Sequence, residues 1–129
     1  MSEEQKIHVV IADDQELVRA GFAMVIGSQP DMAVVGQARD GAEAVALAET
    51  LHPDVVLMDI RMPNMNGVVA TQSIKAKYPD VKVVILTTFD DSDYILNAIN
   101  NGASGYLLKD IGSTALIDAV KNAYAGDTI

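Results

Sequence analysis

Apolar runs of strand length alternate with amphipathic stretches of helix length five times along this chain. The unbroken run Ile7–Ala12 reads as a buried strand, and Gln15–Gly27 as a helix that Gln29-Pro30-Asp31 interrupts. Met32–Ala38 has the pattern of a second strand. Asp40 stands in N-cap position before a helix over Gly41–Leu51, which ends ahead of Pro53. The β-branched run Asp54–Met58 is the third strand, and the loop after it is punctuated by Pro63 and Gly67. Val68–Tyr78 is helical and stops before Pro79, and Val81–Thr87 is the fourth strand. Ser92–Asn101 is a helix closed by Gly102, Gly105–Leu108 the fifth strand, and Ser113–Ala125 the last helix, with Gly126 as its C′ residue.

Strands alternating with helices predict an α/β fold, with a parallel sheet covered by helices on both faces. The near-continuous apolar strands agree, because a parallel sheet is buried on both sides. Ligands of such sheets bind beyond the carboxyl ends of the strands, near the point where strand order reverses. The residues just after each strand therefore carry the interest. Asp13-Asp14 follow the first strand and Asp59 the third; Thr87-Thr88 end the fourth, and Lys109 follows the fifth. Three carboxylates, a hydroxyl and an ammonium would meet on one rim. Like charges so close raise the pKa of at least one carboxyl unless a cation neutralises them. A hard divalent ion with oxygen ligands is the natural remedy, and Mg²⁺, which accepts a few carboxylates and keeps several waters, suits best.

Composition narrows the classes. A chain of 129 residues, half of them hydrophobic, fits one compact domain with its own core. No cysteine is present, which excludes disulfides and thiolate metal sites and fits a reducing, cytoplasmic setting. Met1–Lys6 lacks the basic and apolar regions of a signal peptide, and no apolar run approaches the ~18 residues of a membrane span. A net charge of −9 repels phosphate backbones, so the domain is not expected to bind nucleic acid by itself. Met58, Met62 and Met65 read as core and loop residues rather than a soft metal site. His8 and His52 are too few and too far apart for zinc. Nothing resembles a Walker A loop, and Gly67 reads as freeing the backbone at a helix start.

The segments Val10-Ile11-Ala12-Asp13-Asp14, Val56–Gly67, Leu86-Thr87-Thr88 and Gly105–Lys109 together resemble the signature of the receiver domains of bacterial two-component response regulators. The resemblance covers nearly the whole chain. It implies a flavodoxin-like (βα)5 doubly wound sheet of order 2-1-3-4-5, a topology that chemotaxis receivers illustrate. Ala12-Asp13-Asp14-Gln15, Gly105–Asp110 and Ala125-Gly126-Asp127 are most similar to NarL/FixJ-type regulators, which carry a C-terminal LuxR-type helix-turn-helix. Residues 1–126 are then expected to form the receiver, and 127–129 to begin a linker to a DNA-binding domain outside this chain. DNA contact would come only through that domain.

The resemblance implies Asp59 as phospho-acceptor from a sensor histidine kinase. It also implies Mg²⁺ held directly by Asp14, Asp59 and the backbone carbonyl of Arg61, with Asp13 acting through a metal-bound water. Lys109 would pair with a phosphoryl oxygen. Thr87 would donate its hydroxyl to another, and Tyr106 would turn inward as the switch aromatic. Many receivers have proline after the site lysine, in a cis bond; Asp110 follows here, and a trans bond is expected. Thr88 stands where many relatives have a smaller residue, and Arg61 and Phe89 are positions from which a side chain could shield the acyl phosphate.

A homodimer formed on phosphorylation is expected through the first and last helices. Leu17, Ala20, Gly21 and Met24 form an apolar stripe beside the core stripe Val18, Phe22, Val25. In the last helix Leu116, Val120 and Ala123 suit the core, leaving Ala115, Ala119 and Tyr124 beyond it. The competing surface is the fourth helix, fifth strand and fifth helix, nearer Tyr106. Rival functions are a flavodoxin, which needs a Ser/Thr/Gly phosphate loop where Asp13-Asp14 stand; a phosphatase, which typically carries Asp-x-Asp there; and a pseudo-receiver, against which the intact acidic set argues.

Overall fold

The computed structural model describes residues 6–88 and 92–127. Five strands, β1 (Ile7–Ala12), β2 (Met32–Ala38), β3 (Val55–Asp59), β4 (Lys82–Thr87) and β5 (Gly105–Leu108), alternate with five helices. These are α1 (Glu16–Gly27), α2 (Gly41–Leu51), α3 (Gly67–Lys77), α4 (Ser92–Asn100) and α5 (Ser113–Tyr124). All strand pairs are parallel and the order is β2-β1-β3-β4-β5, as the alternation and the resemblance implied. Chain order reverses at β1, so β1 and β3 lie side by side at the switch point.

The strand residues divide by parity, which is why nearly all of them are apolar. Val9 and Ile11, Val55 and Leu57, and Val84 and Leu86 face α1 and α5, where Phe22, Ile26, Leu116 and Val120 meet them. Val10 and Ala12, Val56 and Met58, and Val83 and Ile85 face α2, α3 and α4, against Ala44, Ala48, Ala70, Ile74 and Ala98. The sheet thus separates two apolar layers. The β1–β2 ladder slips between Val9 and Val10, passing over Val35, a bulge that leaves no mark in the sequence pattern.

Side-chain capping explains the starts of α2 and α3. The Asp40 carboxylate accepts from the Glu43 N–H (2.8 Å), as anticipated. Asn66 caps α3 in the same way, accepting from the Val69 N–H (3.0 Å), a device the reading of Pro63 and Gly67 passed over. Gly102 closes α4 at φ 102°, a left-handed conformation that a side chain would strain. Among its described residues α4 buries only Ala98, so it is the most thinly anchored helix of the five.

One expected surface residue is corrected. Ala119 is buried and belongs to the layer beneath α5, not to a dimer face. It lies three residues after Leu116 and four before Ala123, hence on the same helical stripe, and its small side chain hid that membership. Leu17 (88% exposed), Met24 (76%) and Tyr124 (52%) do project to solvent, and Ala20 is exposed beside them.

Candidate functional site at the carboxyl edge of the sheet

Every sequence-predicted polar residue lies at the carboxyl edge. Asp13 follows β1 and is fully buried; Asp59 ends β3 at 2% exposure; Thr87 ends β4 at 1%. Asp14 is exposed beside them. Two ladder bonds run one residue past the strands and fix the rim: the Asp13 N–H donates to the Ala38 carbonyl (3.0 Å) and the Lys109 N–H to the Thr87 carbonyl (2.9 Å). Asp13 Oδ1 accepts from the Gln15 N–H (2.9 Å), and Arg19 Nη1 donates to the Asp13 carbonyl oxygen (2.7 Å). No sequence spacing announces the Arg19 contact, because it joins a loop to the next helix.

Lys109 reaches into the centre, with Nζ 3.1 Å from Asp59 Oδ1 and 3.2 Å from Asp13 Oδ2. The second pair is close but poorly aligned, and Asp13 Oδ2 has no hydrogen-bond partner; neither has the buried Asp59 Oδ2. Burial first, and then the charge of Asp13, push the Asp59 carboxyl up to about 6 against the opposing pull of Lys109. Burial works against the Lys109 ammonium, but its hydrogen bond and charge interaction with Asp59, helped by Asp13, outweigh that, and its pKa is raised. Carboxylate oxygens of Asp13, Asp14 and Asp59 lie within 4.8 Å of one another. One lysine shared among three carboxylates, with Asp59 Oδ2 buried and without a hydrogen bond, is an arrangement a hard cation completes.

The loop between β3 and α3 is held by the loop before α2. Asn64 Nδ2 donates to Asp40 Oδ2 (2.8 Å) and the Gly41 N–H to the Met65 carbonyl (2.9 Å). Hydrogen bonds from the Glu43 N–H and Asn64 hold the Asp40 carboxyl below its usual range. Gly67 is needed for close approach rather than freedom of φ: a Cβ there would stand 2.1 Å from the Asp59 carbonyl oxygen. Gly67→Ala is therefore expected to lose about 1–3 kcal/mol in urea unfolding. Gly21→Ala, where a Cβ meets nothing within 4 Å, is its control and should not destabilise. Equal stabilities for the two variants would show that the loop yields freely.

Thr87 Oγ1 donates to the Thr88 carbonyl (3.0 Å), and a cavity of about 220 Å³ beside it is lined by Thr87, Thr88, Leu108, Lys109 and Asp110. Tyr106 stands on β5, 45% exposed, apart from the acidic cluster. Arg61 lies in the loop after Asp59, its guanidinium 5.5 Å from the ring centroid of Tyr94 on α4, a contact the sequence did not disclose. Lys109–Asp110 is trans, as is every peptide bond among the described residues. Phe89 lies outside them. Met58 is buried in the core, as anticipated, whereas Met62, read as a loop residue, is buried against the core as well.

Residues 9–121 match the response regulator receiver domain. The chain belongs to that family. It is 49% identical over 126 residues to YxjL, an uncharacterized transcriptional regulatory protein of Bacillus subtilis (strain 168), covering 98% of this chain and 58% of that protein. It is 48% identical over 118 residues to the transcriptional regulatory protein DegU of Brevibacillus brevis, covering 92% and 50% respectively. A receiver domain assigned to NarL of Mycobacterium tuberculosis superposes with a TM-score of 0.90 at 34% identity, covering 95% of this chain and 98% of that one. The chain spans about half the length of these curated relatives, 50 to 58%. It is thus a signalling domain of the kind found in NarL/DegU-type transcriptional regulators, and the flavodoxin and phosphatase readings fall away. Receiver domains generally bind Mg²⁺ at an acidic pocket, and Asp13, Asp14 and Asp59 form an acidic cluster at this rim. No helix among the described residues is long and apolar enough to cross a membrane.

Proposed function

We propose that this receiver, acting in the cytoplasm, accepts a phosphoryl group on Asp59 from the phosphohistidine of a sensor histidine kinase and so switches a DNA-binding output domain. The observation that carries the reading is the Asp59 carboxylate: one oxygen is held by Lys109, and the other is buried and unpartnered. Above about pH 6 the carboxylate is mostly ionised. An oxygen of Asp59 forms a bond to phosphorus, the phosphorus–nitrogen bond breaks, and its electron pair returns to the kinase imidazole. Positioning and charge neutralisation are the main demands of such a transfer. Mg²⁺ would be held by Asp14, Asp59 and the Arg61 carbonyl, with Asp13 behind them; when bound it neutralises carboxylate and phosphoryl charge. Lys109 turns from Asp59 to a phosphoryl oxygen, and hydrolysis of the acyl phosphate later resets the domain.

Incubation with Mg²⁺ and a small acyl phosphate should add the mass of one phosphoryl group to the intact domain. Asp59→Ala, or wild type with chelator, should add none. Full phosphorylation of either would overturn the assignment.

Phosphorylation brings about 1.5 to 2 negative charges and three strong acceptors to the rim. Thr87 gives up the Thr88 carbonyl for a phosphoryl oxygen, and Tyr106 turns into the space left behind it. The phosphorylated domain then pairs through α1 and α5, where Leu17, Ala20, Met24 and Tyr124 are exposed. A LuxR-type output domain, reached through a linker beginning near residue 127, would read paired half-sites. Leu17→Asp with Met24→Asp should stay folded and phosphorylatable yet remain monomeric in light scattering. Persistent dimerisation of that variant would move the interface to α4, β5 and α5.

A further inference from the structure

The Arg61 guanidinium is placed between two claims on it. It now lies over the Tyr94 ring, 5.5 Å from the centroid. That ring belongs to the first turn of α4, the helix that buries only Ala98 among its described residues. Ile95 packs half-buried against the core while Leu96 and Ile99 are exposed, so little apolar burial holds the helix down. The contact ties the loop that follows Asp59 to the start of α4.

Arg61 is also two residues beyond Asp59, within an extended arginine side chain's reach of the rim. A phosphoryl group on Asp59 offers a guanidinium paired, charge-assisted acceptors, which it prefers to an exposed aromatic face. Arg61 and Tyr94 are both exposed, so moving the guanidinium from the ring toward the phosphoryl group buries no charge.

We propose that Arg61 is an electrostatic latch: it holds Tyr94 and the start of α4 in the resting domain and leaves them for the phosphoryl group on Asp59. This rests on Asp59 being the phospho-acceptor. Release of α4 then has a stated physical cause, which acts beside the Thr87–Tyr106 movement rather than through it. Arg61 is a positioning residue here, since the transfer to Asp59 does not require it.

The latch opposes phosphorylation by the free energy of its own contact, so breaking it beforehand must favour the phosphorylated state by that amount. The probe is beryllofluoride with Mg²⁺, a stable mimic of the aspartyl phosphate. Tyr94→Leu keeps apolar bulk and removes the ring face. It should bind beryllofluoride about two- to five-fold more tightly than wild type, which is an exposed cation–π contact of about 0.5–1 kcal/mol converted at 1.4 kcal/mol per tenfold. Arg61→Gln should bind more weakly than Tyr94→Leu, having lost a cation for the phosphoryl mimic. In the Arg61→Gln background, Tyr94→Leu should have no further effect, because the contact is already gone.

Amide exchange supplies a readout independent of affinity. The α4 amides of wild type should lose protection when beryllofluoride binds, and those of Tyr94→Leu should be less protected beforehand. An unchanged affinity in Tyr94→Leu, or an effect that persists in the Arg61→Gln background, overturns the latch and leaves Asp59 as acceptor untouched. Failure of wild type to bind beryllofluoride removes the Asp59 reading, and the latch with it.

Discussion

Asp59→Asn is expected to make the metal-free domain more stable at pH 7.5, although it removes an ion pair. The folded-state pKa of Asp59 is about 6, against 3.8 for an unperturbed carboxyl. The folded domain therefore holds this proton more tightly than the unfolded chain does. Stability from the proton is fully present below pH 3.8 and is lost as pH rises through about 6. The difference of about 2.2 units, at 1.36 kcal/mol each, makes the ionised group at pH 7.5 unfavourable by about 3 kcal/mol, an upper bound for the gain in Asn. The amide keeps the shape and carries no charge, and Lys109 keeps Asp13 as a neighbour. Urea unfolding should show a gain on the order of 1–3 kcal/mol at pH 7.5 that shrinks toward pH 4. Saturating Mg²⁺ should narrow or reverse it, because binding adds to the native state of wild type, by about 2.7 kcal/mol at a hundred times Kd. A variant no more stable than wild type at pH 7.5 without metal would refute the charge crowding inferred here.

Lys109→Ala and Thr87→Ala should fail in different ways. Without Lys109, Asp13 and Asp59 keep their mutual repulsion and lose the cation between them, so the Asp59 pKa should rise further. The developing charge on the phosphoryl oxygens also loses a donor, a change that lowers rates by on the order of 10²–10³ in comparable sites. The Thr87 hydroxyl donates to the Thr88 carbonyl. Thr87→Ala should phosphorylate at near the wild-type rate but leave the Tyr106 ring resonances unmoved, and Thr87→Ser should restore the movement. Intact mass gives the rate and ring NMR the response. If Tyr106 still responds in Thr87→Ala, the coupling runs elsewhere; if Lys109→Ala keeps the full rate, the lysine is not part of the transfer.

The fold was legible because its signals are strong and local. Runs such as Val55–Met58 are apolar on both faces, and Asp40, Pro53, Pro79 and Gly102 mark where helices start or stop. The acidic cluster followed from topology: strand ends of a parallel sheet share one edge, so Asp13, Asp59 and Lys109 had to converge. What the sequence hid depends on side chains meeting across distance. Asn64 donates to a carboxylate 24 residues away, and Arg61 finds Tyr94 on a different helix. Ala119 misled because an alanine contributes too little to a stripe to reveal its face, and only packing against β-strand residues settled it. The slip at Val35 needs the partner strand to be defined at all.

The anchoring of the loop after Asp59 gives the domain a mechanical direction. On the side toward α2, that loop is sewn down by Asn64 to Asp40 and by Met65 to Gly41, with no space at Gly41 for even a methyl group, since a Cβ would stand 2.2 Å from the Met65 carbonyl oxygen. On the side toward α4, the ties are one aromatic face, one buried alanine and the half-buried Ile95. A push originating at Asp59 meets a wall on one flank and a door on the other. Displacement from such a push would run outward toward α4, with α2 as the fixed jaw. Tightening the door, for example by replacing the exposed Leu96 and Ile99 with residues that bury more surface, would mute the output without altering any group that handles phosphate.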